Sequence, residues 1–209
     1  FMSSRYRSVF PTLIQHAPLP DRQLKKLNEQ LLKECFAFRE LDEAGKKWSA
    51  KNYFRGYTSY GSLVDLPHRS PTFARLKKGL DLLVKDFVKT LDLDLSTKRL
   101  EMSACWINVM GHGCYHSSHL HPLSTISGTY YVQVPKGSGA IQFEDPRLPM
   151  RMATPPRKSN AKKENQSFVQ LAPRAGEVVL FESWLKHEVP ANRSQTERIS
   201  ISFNYDWVE

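Results

Sequence analysis

Two periods divide the chain. In DRQLKKLNEQLLKECFAFREL, from Asp21, the apolar positions Leu24, Leu27, Leu31, Cys35 and Phe38 recur three or four apart and share one stripe, the spacing of an amphipathic helix. Asp21, after Pro20, stands where an N-cap would. SPTFARLKKGLDLLVKDFVKTL repeats the pattern more strongly through Phe73, Leu76, Leu80, Leu83, Phe87 and Leu91, with Ser70 as the expected cap and Pro71 suited to the first turn. From Arg99 onward the period falls to two. RLEMSACWINVM, ISGTYYVQV, GAIQFE, SFVQLA, EVVLFE and ERISISFNYDWV are rich in β-branched and aromatic residues and are separated by Gly, Pro and Asn. Helices followed by six strands with no helical spacer predict an α+β protein, an antiparallel sandwich or barrel backed by helices, because a parallel sheet needs crossover helices between its strands. The expected organisation is one structural domain, with an N-terminal helical region over 1–98 packing on a β-core over 99–209 and a basic loop at 146–167.

Composition narrows the class without naming a function. A chain of 209 residues with 40% hydrophobic and 24% charged residues can bury a core and is neither disordered nor fibrous in make-up. No apolar run approaches the roughly 18 residues of a membrane span, and the first residues lack the apolar stretch of a signal peptide, so the expected location is cytoplasmic with no membrane partner. Cys35, Cys105 and Cys114 are an odd number without CxxC spacing, which fits buried thiols in a reducing compartment. The formal charge of +9 is uneven: Arg147, Arg151, Arg157, Lys158, Lys162 and Lys163 lie in a Pro-rich stretch, 147–163, that holds no acid. Such a run is either a solvated loop or a lid that attracts an acidic or polymeric substrate.

Candidate chemistry concentrates in GHGCYHSSHLHP, which carries His112, His116, His119 and His121, four of the seven histidines. In an extended segment His119 and His121 point to the same face. They form a two-point chelate to which His187 is the one downstream histidine that can add a third nitrogen. Three imidazoles with open positions suit catalysis on iron, zinc or copper. The plainer alternative makes His119 and His121 exposed turn residues before Pro122. His112 and His116 are spaced less well for a face shared with His119. In RISISFNYDW, Arg198, Ser200, Ser202 and Asn204 share one face, and Ile199, Ile201, Phe203 and Tyr205 the other. An Arg with a Ser two residues on can clamp a carboxylate.

HxH before a Tyr-rich strand, a distal His187 and the R-x-S of Arg198 and Ser200 together resemble the double-stranded β-helix (jelly-roll, cupin-like) dioxygenases that use Fe(II) and 2-oxoglutarate. CWINVMGHGCYHSSHLH is similar to the strand entering the metal site of the alkylated-base demethylases, with Asn108 eleven residues before His119. SGTYYVQV, SGAIQFEDP and VVLFESWLKHEV are similar to segments of the prolyl hydroxylases. HLHP, SGTYYV and SGAIQFEDPR also match the pattern of a group of bacterial and phage 2-oxoglutarate oxygenases. The resemblance implies that His119 and His187 bind iron, that Arg198 and Ser200 hold the distal carboxylate of 2-oxoglutarate, and that Tyr131 and Asn108 assist. It further implies a hydroxylase, with ascorbate as an accessory reductant. The wider superfamily has an acid two residues after its first histidine, where this chain has His121. Either a three-histidine site replaces the usual set, or a carboxylate arrives from elsewhere, for which Asp145 in FEDPR is the candidate and a turn before Pro146 its plainer role.

Two other readings stay open on the sequence. A three-histidine cupin-like dioxygenase or zinc hydrolase would need no 2-oxoglutarate, and the position of Arg198 relative to the metal cavity discriminates. A sugar- or nucleic-acid-binding β-sandwich leaves the histidine cluster unexplained, and nucleic acid is further disfavoured because 147–163 lacks aromatics. The substrate is unidentified and a homodimer is left open.

Overall fold

The structure, a computed structural model, describes residues 5–209. The N-terminal half contributes β1 (Ile14–Pro18), α1 (Leu24–Leu41), α2 (Glu43–Asn52), β2 (Gly56–Thr58), α3 (Leu66–Arg69) and α4 (Pro71–Thr90). The second half is β3 (Arg99–Met110), β4 (His116–His119), β5 (Ile126–Gln133), β6 (Ile141–Glu144), β7 (Phe168–Leu171), β8 (Glu177–Glu182), β9 (His187–Val189) and β10 (Arg198–Val208). The strands form a six-stranded sheet in the order β1-β8-β5-β10-β3-β2 and a four-stranded sheet in the order β4-β9-β6-β7. All strand pairs are antiparallel, as the missing crossover helices require.

Side-chain alternation explains how the large sheet serves two compartments. Ile199, Ile201 and Phe203 of β10 join Ile107, Tyr130, Val178 and Leu180 in a core shared with Leu27 and Leu31 of α1 and Leu76 and Leu80 of α4. Their neighbours in sequence point the other way, between the sheets. Tyr130 and Tyr131 show the switch: the Tyr130 hydroxyl donates to Asn28 Oδ1 at 2.8 Å on the helical side, whereas Tyr131 packs with Ile141, Phe143, Val179 and Phe181 in the inter-sheet core. Gly128 is required where the large sheet meets its own core, because a Cβ there would lie 2.5 Å from both Leu180 Cδ2 and Phe203 Cζ.

The N-terminal region is more integrated than a helical layer resting on a barrel. β1 pairs with β8 and β2 with β3, so 1–98 supplies both edges of the large sheet. Asp21 is not the cap of α1: the helix begins at Leu24 with Gln23 at the N-cap and no side-chain bond there. Asp21 Oδ1 instead accepts from Gln23 N at 2.7 Å, and its carboxylate takes a forked pair from Arg75, a stronger partner than a helix N–H. Ser70 does cap α4, its Oγ accepting from Thr72 N at 3.0 Å and Phe73 N at 3.4 Å while donating to Glu34. Ser70→Ala is therefore expected to lower stability by about 1–2 kcal/mol, read as a lower urea midpoint at unchanged m-value.

Candidate metal and co-substrate site

The histidines meet where the two sheets come together. β4 and β9 pair with His119 opposite His187 and His116 opposite Val189. The four residues 116–119 of β4 thus face the three residues 187–189 of β9, and the extra residue is a β-bulge. His119 and His116 can then present the same face although an odd spacing in a regular strand would separate them. Their rings stack at 4.4 Å and 15°. This corrects the expectation from spacing: His116 shares the face. It stays outside the ligand cluster, however, because the nitrogens that lie within 4.8 Å of one another belong to His119, His121 and His187. His121 follows the end of β4, fixed by its own N–H donating to Ser183 O at 3.0 Å. His112 is exposed, at 3.2 Å from Ser194 O, and takes no part.

Second contacts orient two of the three rings. His119 Nδ1 donates to Ser117 O at 2.7 Å and His187 Nδ1 to Leu185 O at 2.9 Å. With Nδ1 protonated, Nε2 of each ring keeps its lone pair for a cation. His187 is also wedged against Phe181, with ring centroids 4.5 Å apart. Burial lowers all four imidazole pKa values, to about 3 for His116 and His187 and about 4 for His121, with neighbouring imidazoles adding to the effect; His119 falls for the same first reason against its bond to Ser117. The rings are neutral, the form that coordinates metal.

A pH prediction follows from these shifts. Unfolded histidine titrates near pH ~6.5, above the folded values, so unfolding takes up protons between the two. The stability is complete above pH ~6.5 and drains away as pH falls toward the folded values. The metal-free protein should melt at progressively lower temperature from pH about 7 to about 5 by calorimetry; a melting point that rises over that interval would contradict the assignment of neutral buried rings.

Beyond the histidines lies a small chamber, about 30 Å³, lined by Asn108, Tyr131, Arg198, Ser200 and Ser202 as well as the three rings. Among the described residues no acidic side chain lines it. Arg198 is 2% exposed. Its Nη1 reaches Ser200 Oγ at 3.3 Å and Met110 Sδ at 3.2 Å, its guanidinium lies 5.1 Å from the Tyr131 ring centre, and its Nε has no partner. Three more orphaned buried atoms line the same chamber: Tyr131 Oη, Asn108 Oδ1 and Tyr53 Oη. A buried charge without a counter-charge costs several kcal/mol, and each unmade buried hydrogen bond roughly 1–3 kcal/mol. Arg198 and the two tyrosine hydroxyls thus leave donor groups facing the space, while Asn108 Oδ1 is an acceptor. The Asn108 amide can serve either sense, since its Nδ2 donates to Ser202 Oγ at 3.0 Å and a flipped amide would accept there instead.

Asp145 lies elsewhere. Its carboxylate is bound by Arg147 Nε at 2.9 Å and Nη2 at 3.0 Å and by Arg151, and it lines a separate cavity with Thr12 and Lys163. Burial pushes the carboxyl up, but the Arg147 bonds and the charges of both arginines outweigh this and hold it below the usual range. Its oxygens are spent on tethering the basic loop, which corrects the alternative of a carboxylate ligand. Arg147 and Arg151, the first cations of the 147–163 segment, are occupied in that tether. None of that segment's residues lines the chamber or the cleft leading to it.

Tyr53 is the residue that periodicity could not find. It follows α2 as its C-cap, is 8% exposed, and packs with Met110, Cys114 and Val189. Gly56 leaves room for the ring, since a Cβ there would lie 2.8 Å from Tyr53 Cδ1 and 2.7 Å from Cys114 Sγ. The chamber opens to a wider cleft, and Tyr53, Trp106, His116, His119 and His121 line both.

Two antiparallel sheets thus enclose three clustered imidazoles and a buried arginine in a jelly-roll arrangement. Residues 104–204, from within β3 to within β10, match the family described as "Putative 2OG-Fe(II) oxygenase". Solved structures share the fold: a prolyl-4-hydroxylase from Pseudomonas putida (TM-score 0.64, 17% identity, 93% of this chain and 92% of that chain), the non-heme alpha-ketoglutarate-dependent epimerase SnoN of nogalamycin biosynthesis (TM-score 0.64, 14% identity, 93% and 76%), and HygX from Streptomyces hygroscopicus with nickel, 2-oxoglutarate and hygromycin B bound (TM-score 0.59, 16% identity, 93% and 83%). No curated protein matches the chain. The family match is confined to residues 104–204, and the solved structures show a shared fold.

Proposed function

We propose that the protein is an Fe(II)- and 2-oxoglutarate-dependent hydroxylase in which His119, His121 and His187 hold the metal. Arg198, Ser200, Tyr131 and Asn108 hold the co-substrate. The observation that carries this reading is Arg198, buried without an acid and facing the same chamber as the three imidazoles. A three-histidine enzyme working without 2-oxoglutarate gives that guanidinium nothing to bind. The donor set fits the group, because neutral imidazoles suit Fe(II) and the orphaned donors of Arg198 and Tyr131 suit a carboxylate.

Bound there, iron and 2-oxoglutarate would supply the oxidising chemistry, with decarboxylation to succinate coupled to dioxygen-dependent hydroxylation. The chain's own part is positional. Ser117 and Leu185 fix the tautomers of His119 and His187. Tyr131 remains a protonated donor, since burial pushes its hydroxyl up to about 12. Phe181, Ile141 and Val189 close the apolar sides of the chamber and exclude water, which strengthens every charge interaction inside. No protein nucleophile is needed. Release of carbon dioxide from C1 of 2-oxoglutarate, dependent on Fe(II) and slow without a primary substrate, tests the activity. Its absence at stoichiometric Fe(II), with or without ascorbate, would count against the reading.

The Tyr53 hydroxyl is assigned here as a further donor toward the co-substrate. Tyr53→Phe is expected to weaken 2-oxoglutarate binding about tenfold, the worth of one hydrogen bond to a charged group, and to leave Fe(II) affinity alone. Equal affinities in the two proteins would remove Tyr53 from the set. A cytoplasmic location is supported by the three free, buried thiols and agrees with the absence, among the described residues, of a helix long and apolar enough to cross a membrane.

A further inference from the structure

The chamber's outer cleft has a volume of about 640 Å³ and gathers aromatic side chains that the proposed chemistry does not use. Trp48 on α2, Phe54 and Tyr60 beside β2, and Tyr115 before β4 remain 43%, 59%, 54% and 51% exposed around its mouth. Trp106 forms the floor, held edge-on to Tyr60 with centroids 5.0 Å apart. Large aromatic surface exposed in one place marks a binding site rather than a solvated face, and these rings come from α2 with its following turn, from beside β2 and from the approach to β4.

The electrostatics select among ring-bearing ligands. Among the described residues no aspartate or glutamate lines the cleft or the chamber, and Lys51 and Arg198 are the charged side chains that do. His121 stands where the wider superfamily has an acid, so the metal ligands contribute no negative charge. A cation entering this space finds no carboxylate, only the faces of the rings, whereas an anion can reach Lys51 on the same helix as Trp48. The remaining polar groups are neutral: Asn52 has its Nδ2 tied to Trp48 O at 2.9 Å, and Asn204 has its Oδ1 tied to Ser127 Oγ at 2.9 Å.

We infer that this cleft is the primary-substrate site and that it takes a substrate with a flat ring and an anionic group. The ring stacks among Trp48, Tyr60 and Tyr115, and the anion lies at Lys51. This deepens the oxygenase reading and rests on it only for the identity of the neighbouring metal site. The experiment measures binding of 1-naphthyl phosphate, 1-naphthalenemethanol and 1-naphthylmethylamine by calorimetry to the anaerobic Fe(II)/2-oxoglutarate protein, with its absorption band recorded in the same sample. The phosphate should bind about threefold or more tighter than the alcohol, a surface charge pair's worth, with the amine weakest. Lys51→Gln should erase the phosphate's advantage, and Trp48→Ala should weaken phosphate and alcohol about tenfold, as loss of one stacking ring does. An amine bound as tightly as the phosphate, affinities indifferent to Trp48→Ala, or no binding of any probe overturns the inference. Absence of the band itself would fail the oxygenase reading instead.

Discussion

His187→Ala is expected to abolish both tight metal binding and turnover. His187 faces His119 across the β4–β9 pair, with ring centroids 4.3 Å apart, and lies parallel to His121 at 5.3 Å. Removing it leaves two imidazoles from one short segment and no ligand from the opposite strand. Losing an orienting contact behind a ligand typically costs 10–100-fold in metal affinity, so loss of the ligand itself should cost about 100-fold or more. Equilibrium Fe(II) binding by competition with a chelator reads the effect. His116→Ala is the control: it removes the ring stacked on His119 but no member of the ligand cluster, and should retain stoichiometric metal. If the two variants lost metal equally, the three-histidine assignment would be wrong.

Arg198→Ala should separate the co-substrate from the metal. Truncating one partner of a buried charged pair costs about 2–5 kcal/mol, so 2-oxoglutarate should bind roughly 30-fold to 4,000-fold more weakly at unchanged Fe(II) affinity. Arg198→Lys should fall between, because lysine keeps the charge but not the planar fork. The ligand-free variant should melt close to the parent protein, since lost packing against Tyr131 is offset by removal of an uncompensated buried charge. A large drop in its melting temperature would mean that Arg198 serves the fold rather than a ligand.

The parts of this account that were legible in the sequence are those with a long period. α4 carries its apolar stripe through Leu76 and Leu80 with a serine cap, and β10 alternates for eleven residues, so both faces of that strand, and Arg198 on the inner one, could be placed from the pattern. The short pieces were not legible. β2 and β9 are three residues each, less than two periods of alternation. α2, in EAGKKWSAKN, carries too many charges to show a stripe, and Tyr53 and Trp48 went unnoticed with it. The bulge in β4 defeated the spacing argument for His116, because one inserted residue reverses which side chains share a face. Asp145 differs in kind: FEDPR shows an acid near the site in sequence, while the two arginines that claim it, Arg147 and Arg151, lie just downstream in a basic run whose pattern carries no pairing information.

The most direct test of the central claim is an anaerobic titration of the Fe(II)-loaded protein with 2-oxoglutarate, following the visible charge-transfer band of the chelated co-substrate. The account predicts a saturable band at one equivalent of iron, lost in His187→Ala and displaced to much higher 2-oxoglutarate concentration in Arg198→Ala. Stoichiometric iron with no band at any 2-oxoglutarate concentration would contradict it.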